Sequence, residues 1–134
     1  MKKYKILIVL ADFYEDISSA LLGRAKLQIP YKYAEPKNIK VIKVPGVFEI
    51  PVTISKNIKK YDAFIALGCV IKGETPHFDF ISSATTNAIM KLSVDSKKPI
   101  GNGIITCLNR KQAEARMGRT ARAAVHAVYD VLEQ

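Results

Sequence analysis

The stretch Tyr61–Asp79 reads YDAFIALGCVIKGETPHFD, and its opening run from Tyr61 to Ile71 decides the fold. It is a β-rich apolar run of strand length that ends at a glycine-containing turn. The segment Tyr4–Ala11 (YKILIVLA) has the same character. Runs of this kind, without polar alternation, predict strands buried on both faces, as in parallel sheets covered by helices on either side. Both are far below the roughly 18 apolar residues that a membrane-spanning helix needs.

Working outward, the rest of the chain supplies the partners such strands require. Asp16–Ile29 carries Ile17, Leu21, Leu22, Ala25 and Ile29 at helical spacing, and Pro30 stops it. Asn38–Val44 predicts a strand ended by Pro45-Gly46. Ile50–Lys60 predicts a helix with Ile50, Ile54 and Ile58 on one face and lysines at its end, where cations are favoured. Phe78–Val94 predicts a helix, Pro99–Cys107 a glycine-containing strand, and Arg110–Leu132 an alanine-rich helix. Four βα units in succession predict an open parallel four-stranded sheet with helices on both faces. With 134 residues, the chain is expected to form one domain over residues 1–134.

Composition narrows the function. Hydrophobic residues at 49% and charged residues at 25% are globular values, which excludes disordered and fibrous classes. The net charge of +9 allows an anionic partner. The lysines are scattered, however, and no basic run is interleaved with aromatics, so neither nucleic acid nor a membrane surface is the expected partner. Met1–Lys5 is a basic flank followed by only six apolar residues, Ile6–Ala11, so no cleavable leader is expected. Cys69 and Cys107 lie far apart without a CxxC or histidine partner. Neither a disulfide nor a zinc site is expected, and the cytoplasm is the natural compartment.

In open parallel sheets, ligands sit beyond the carboxyl ends of the strands. That rule selects Asp12-Phe13-Tyr14, Pro45–Glu49, Gly68–His77 and Thr106 onward. Gly68 and Gly73 are expected to allow tight turning, and backbone N–H groups near Pro76, with the Thr75 hydroxyl, would make an anion cradle. Beside it, His77 could move protons near neutral pH, or simply cap the helix. Glu49 could accept hydrogen bonds from ligand hydroxyls, or act as a helix-start acid. Phe13 could stack on a planar heterocycle, although core packing is the default for a lone Phe. Arg110, Lys111, Arg116, Arg119 and Arg122 stand against one acid, Glu114, and guanidinium forks suit phosphate. His126, inside the last helix, and both cysteines read as structural. A phospho-receiver domain fails, because that chemistry needs an aspartate at the end of the third strand, where Gly68-Cys69 stands.

Two motifs, PGVFEIP at Pro45–Pro51 and ALGCVIKGETPHFD at Ala66–Asp79, resemble the lumazine synthase family. Weaker echoes are Phe13, Leu21-Leu22-Gly23, and GNGIIT…KQAEAR between Gly101 and Arg116. The resemblance implies a flavodoxin-like α/β fold and a cofactor-independent, metal-free transferase. Its implied reaction condenses 5-amino-6-(D-ribitylamino)uracil with 3,4-dihydroxy-2-butanone 4-phosphate to 6,7-dimethyl-8-ribityllumazine, the penultimate step of riboflavin biosynthesis. It further implies that Phe13 stacks on the uracil, that Val47, Phe48 and Glu49 line the ribityl pocket, and that Cys69, Val70 and Ile71 offer backbone contacts. Glu74, through its main chain, Thr75 and Arg116 would bind the phosphate, and His77 would transfer protons. Asn102 stands where many relatives carry an aromatic ring over the uracil, and Tyr14 where Asn is usual. A Gly/Lys-rich stretch after Arg116 is missing, so Arg119 or Arg122 would have to replace its lysine. The implied assembly is a homo-oligomer, a pentamer or a multiple of it, with sites between subunits. The alternative is a non-catalytic lumazine- or flavin-binding module on the same fold.

Overall fold

The computed structural model describes residues 3–73 and 77–134. Strands β1 (Ile6–Ala11), β2 (Ile39–Val44), β3 (Ala63–Ile71) and β4 (Ile100–Cys107) alternate with helices α1 (Glu15–Gln28), α2 (Ile50–Asn57), α3 (Phe78–Ser96) and α4 (Arg110–Leu132). All neighbouring strands are parallel, in the order β2-β1-β3-β4. This is the open parallel sheet that the βα alternation predicts, and it has the flavodoxin-like form that the resemblance implies. Among the described residues no helix is long and apolar enough to cross a membrane.

Side-chain alternation along each strand builds two cores. Ile6, Ile8 and Leu10 of β1 pack with Ile17 and Leu21 of α1 and Val125 and Val128 of α4. Leu7 and Val9 point the other way, onto Ile50 and Ile54 of α2 and Ile89 of α3. Every residue of β1 and β3 is buried, because both strands are interior to the sheet and both faces are covered. β2 is an edge strand and remains half-exposed. α4 seats against β4 where Gly101 leaves room, since a Cβ there would lie 2.2 Å from the Ala124 carbonyl oxygen.

Element ends differ from the predicted ones by a few residues, for backbone reasons. The Tyr4 N–H donates to the Tyr33 carbonyl, and the Lys5 N–H to Asp62 Oδ2, so neither residue joins the ladder. β3 correspondingly begins at Ala63 rather than Tyr61. α2 ends at Asn57, where the Ile58 N–H turns back to the Ser55 carbonyl. α3 runs on to Ser96 and stops at Lys97, whose φ is 60°.

Gly68 does not serve a turn, as expected, but a close approach inside β3. A Cβ on it would meet Val47 Cγ1 at 2.7 Å and Ala11 Cβ at 3.1 Å. The short 3₁₀ turn Val47–Glu49 therefore settles directly onto the sheet. Gly68→Ala should cost about 1–3 kcal/mol of stability through overpacking. Urea denaturation checks this, and an unchanged midpoint would mean that the turn yields freely. Gly73 does provide a turn, with φ +89°.

The Asp16 carboxylate pairs with Arg110, joining the first turns of α1 and α4. The Arg110 hydrogen bond holds the Asp16 carboxyl below the ordinary carboxylate range. A lowered folded-state pKa adds stability above the unfolded value, and that contribution disappears as pH falls through the folded value. Asp16→Asn should therefore lower the melting temperature slightly at neutral pH, with the gap to wild type closing on acidification. High salt should also shrink the gap, because the pair is exposed.

Candidate active site at the switch point of the sheet

From β1 the chain moves outward to β2, then returns to lay β3 on the other side of β1 and β4 beyond it. The carboxyl ends of β1 and β3 are therefore the topological switch point, where a crevice opens between diverging connections. A hollow of about 220 Å³ lies there, lined by Phe13, Tyr14, Gly46, Val47, Phe48, Glu49, Cys69, Val70 and Ile81.

Local structure explains each wall. The buried Ser18 hydroxyl donates to the Ala11 carbonyl at 2.6 Å, and the Asp12 N–H donates to the Val44 carbonyl at 3.1 Å. These bonds pin the β1–α1 connection and so present Phe13. Its ring meets Tyr14 edge-on, with centroids 4.9 Å apart. Phe13 is 63% exposed and Phe48 62%. Neither is core packing, and two exposed rings flanking one hollow suit a planar ligand.

Glu49 serves as the helix-start acid that its position suggests. Its Oε1 accepts the Gly46 N–H at 3.0 Å, closing the 3₁₀ turn in a reach-back typical of helix starts. A carboxylate has about four acceptor positions, so capacity remains for ligand hydroxyls. Pro51 in the first turn of α2 needs no N–H partner and helps start that helix.

His77 is the N-cap of α3, with its side chain exposed and its ring centroid 6.4 Å from that of Phe80. Its side chain makes no cap hydrogen bond, so capping does not account for the residue. The Ile81 N–H donates to the His77 carbonyl, placing His77 one helical turn from a residue that lines the hollow. The expected anion-cradle roles of Glu74, Thr75 and Pro76 lie outside the described residues.

The remaining candidates do not gather there within one chain. The Ile71 side chain is 2% exposed and packs into the α1/α4 core, so only its backbone is left for the ligand contact expected of it. Asn102 sits in mid-strand opposite Ala66, exposed, with Oδ1 accepting the Ile104 N–H at 3.1 Å. The Lys72 N–H donates to the Cys107 carbonyl, so that carbonyl points towards β3. The preceding Thr106 carbonyl must then point off the outer edge of β4, and Arg116 Nη1 lies 3.4 Å from it. Arg116 thus faces away from the hollow of its own chain, about 10 Å or more across two strand spacings from β1.

The arginine segment is not one phosphate cluster. Arg110 is committed to Asp16 and lies near Glu114, while Arg119 and Arg122 are exposed further along α4. His126 is also exposed, so it has no packing role. Cys69 and Cys107 are buried free thiols, and burial together with neighbouring Cys107 pushes the Cys69 thiol up to about 12, far from a reactive thiolate. Among the described residues no three His, Cys, Asp or Glu side chains group as a metal site. Tyr14 lines the hollow from the ligand-facing segment in which sequence reasoning placed it, whereas Ile81 was missed. The available signal for Ile81 was its one-turn spacing from His77.

Fold and hollow together define an open parallel α/β protein with a hollow at its switch point, lined by two exposed aromatic rings and a carboxylate. The profile of the 6,7-dimethyl-8-ribityllumazine synthase family matches residues 3–134. A 6,7-dimethyl-8-ribityllumazine synthase from Polaromonas sp. is 39% identical over 97% of this chain and 86% of its own length. Another, from Agrobacterium fabrum, is 44% identical over 90% of this chain and 84% of its own. A third, from Corynebacterium kroppenstedtii, is 40% identical over 85% and 70% respectively. The chain belongs to the 6,7-dimethyl-8-ribityllumazine synthase family.

Proposed function

We propose that residues 1–134 act as one domain that joins 5-amino-6-(D-ribitylamino)uracil to 3,4-dihydroxy-2-butanone 4-phosphate, releasing 6,7-dimethyl-8-ribityllumazine, phosphate and water. The observation that carries this reading is the hollow at the β1/β3 switch point, flanked by exposed Phe13 and Phe48 and floored by Glu49. The uracil stacks on Phe13, with Cys69, Val70 and Ile71 offering backbone groups along its edge. The ribityl chain runs past Val47 and Phe48, and Glu49 accepts hydrogen bonds from its hydroxyls.

The chemistry asks little more of the protein than position and one proton carrier. Imine formation, phosphate elimination and ring closure each move protons, and His77 beside the hollow can serve them in turn. Ordering two substrates removes the entropic part of a bimolecular barrier, which can supply much of the acceleration. The Glu74 main chain, Thr75 and Arg116 hold the phosphate of the four-carbon substrate.

Arg116 and Asn102 complete a site on a neighbouring chain. Support comes from Arg116 pointing off the open edge of β4, away from its own hollow. Further support comes from α3, where only Thr85 and Ile89 of 19 residues are buried and Phe80, Met90 and Val94 are all more than 60% exposed. That apolar stripe suits burial against another copy. A head-to-tail ring pairs one patch with a different one, and a pentamer or a multiple of it is the assembly proposed. Free thiols at Cys69 and Cys107 suit a reducing cytoplasm.

Mixing the protein with both substrates should produce the lumazine chromophore, followed by absorbance. Tight binding of the lumazine with no turnover would instead identify a binding module that retains the pocket alone.

A further inference from the structure

A second hollow, of about 370 Å³, lies at the opposite end of the sheet and is lined by Lys5, Lys37, Asn38, Lys40, Lys60 and Tyr61. The four lysines come from three separate stretches of the chain and converge because β1, β2 and β3 all begin here. Lys40 lies opposite Leu7 in the ladder and therefore shares the face of the sheet that carries α2. Lys5, two residues before Leu7, projects to the same side, and Lys60 follows the end of α2.

Ordinary roles do not account for this grouping. Glu35 bridges Lys3 and Lys37, but among the described residues Lys5, Lys40 and Lys60 stand in no ion pair. The nearby Asp62 carboxylate accepts the Lys5 backbone N–H at 2.8 Å and stands in no ion pair among the described residues. A helix C-terminus attracts cations, yet the α2 end is already served by Lys98, whose Nζ donates to the Ile58 carbonyl at 2.6 Å. An edge-strand lysine guards against aberrant pairing, which explains Lys40 alone. What remains is a concave surface where like charges repel one another until an anion enters.

We infer that this lysine hollow is a binding site for a small phosphate-rich anion, distinct from the substrate hollow at the carboxyl ends of the strands. Lysine ammoniums act as compact point charges rather than planar forks, so they select for charge number more than for shape. The Asn38 amide and the Tyr61 hydroxyl are hydrogen-bonding groups of the kind that hold phosphate oxygens. A linear triphosphate should therefore bind more tightly than diphosphate, and diphosphate more tightly than orthophosphate, with affinity falling steeply as salt rises.

Calorimetric titration of the whole protein with sodium triphosphate tests this. The Lys40→Gln/Lys60→Gln variant should bind about 5- to 30-fold more weakly, as expected for two exposed charge contacts. Lys40→Arg/Lys60→Arg keeps the charge and should bind like wild type, which separates lost charge from a damaged fold. Arg116→Ala should retain triphosphate binding at this site, and Arg119→Gln/Arg122→Gln should leave it unchanged. Absence of binding at physiological salt would overturn the assignment. So would binding lost with Arg116→Ala but kept by the lysine pair variant, or equal weakening by the Arg119/Arg122 pair. The last result would show that net charge alone attracts the anion.

Discussion

His77→Ala is expected to slow lumazine formation by about 10- to 1,000-fold. Positioned proton transfer typically contributes about 10²–10⁴-fold, and the amines of the substrate can take over part of the work. The residue stands at the first turn of α3 with its ring exposed and one turn from Ile81 in the hollow. Its removal takes away a proton carrier without opening the core or breaking a cap hydrogen bond, so the melting temperature and the affinity for the ribitylaminouracil should hardly move. Stopped-flow absorbance at saturating substrates measures the loss, and repeating it between about pH 6 and 8 shows whether a histidine-like ionisation disappears from the profile. Unchanged turnover across that range would remove His77 from the mechanism.

Arg116→Ala should weaken binding of the four-carbon phosphate by about 1.5–3 kcal/mol, the worth of hydrogen bonds to charged groups, or about 10- to 150-fold. The uracil substrate should bind nearly as before, because Phe13, Glu49 and Val70 belong to a different part of the chain. Equal loss of both affinities would mean that Arg116 holds an interface or the fold. Mixed assemblies sharpen the point. If His77 comes from one chain and Arg116 from the next, co-expressing the His77→Ala and Arg116→Ala chains in equal amounts leaves about a quarter of the interfaces in a random ring intact. Activity should then recover towards about a quarter of wild type, although each variant alone is poor. No gain, in preparations shown to contain mixed rings, would sink the shared site.

The two tests probe links that were visible to very different degrees in the sequence. The strand pattern marked Asp12–Tyr14, Pro45–Glu49 and Gly68–His77 as ligand-facing, because parallel strands offer their carboxyl ends to the crevice. The hollow does gather Phe13, Val47, Phe48, Glu49, Cys69 and Val70. It also takes in Tyr14, from the segment after β1, and Ile81, which only the packing of α3 brings to it. Gly68 looked like a turn residue and proved to be a gap for Val47, a distinction that depends on what lies above the strand.

The sequence by itself determined the βα alternation and the burial of β1 and β3. Hydrophobic runs and helical periodicity are local properties that persist in any compact arrangement. It also placed the candidate site, since that follows from strand direction. Tertiary structure alone decided the sheet order, the outward aim of Arg116 and the meeting of Lys5, Lys37, Lys40 and Lys60 around one hollow. Each depends on which strands become neighbours and on which edge a given carbonyl faces. Hydrogen-bond register sets those relations between residues far apart in the chain, and no local pattern records them.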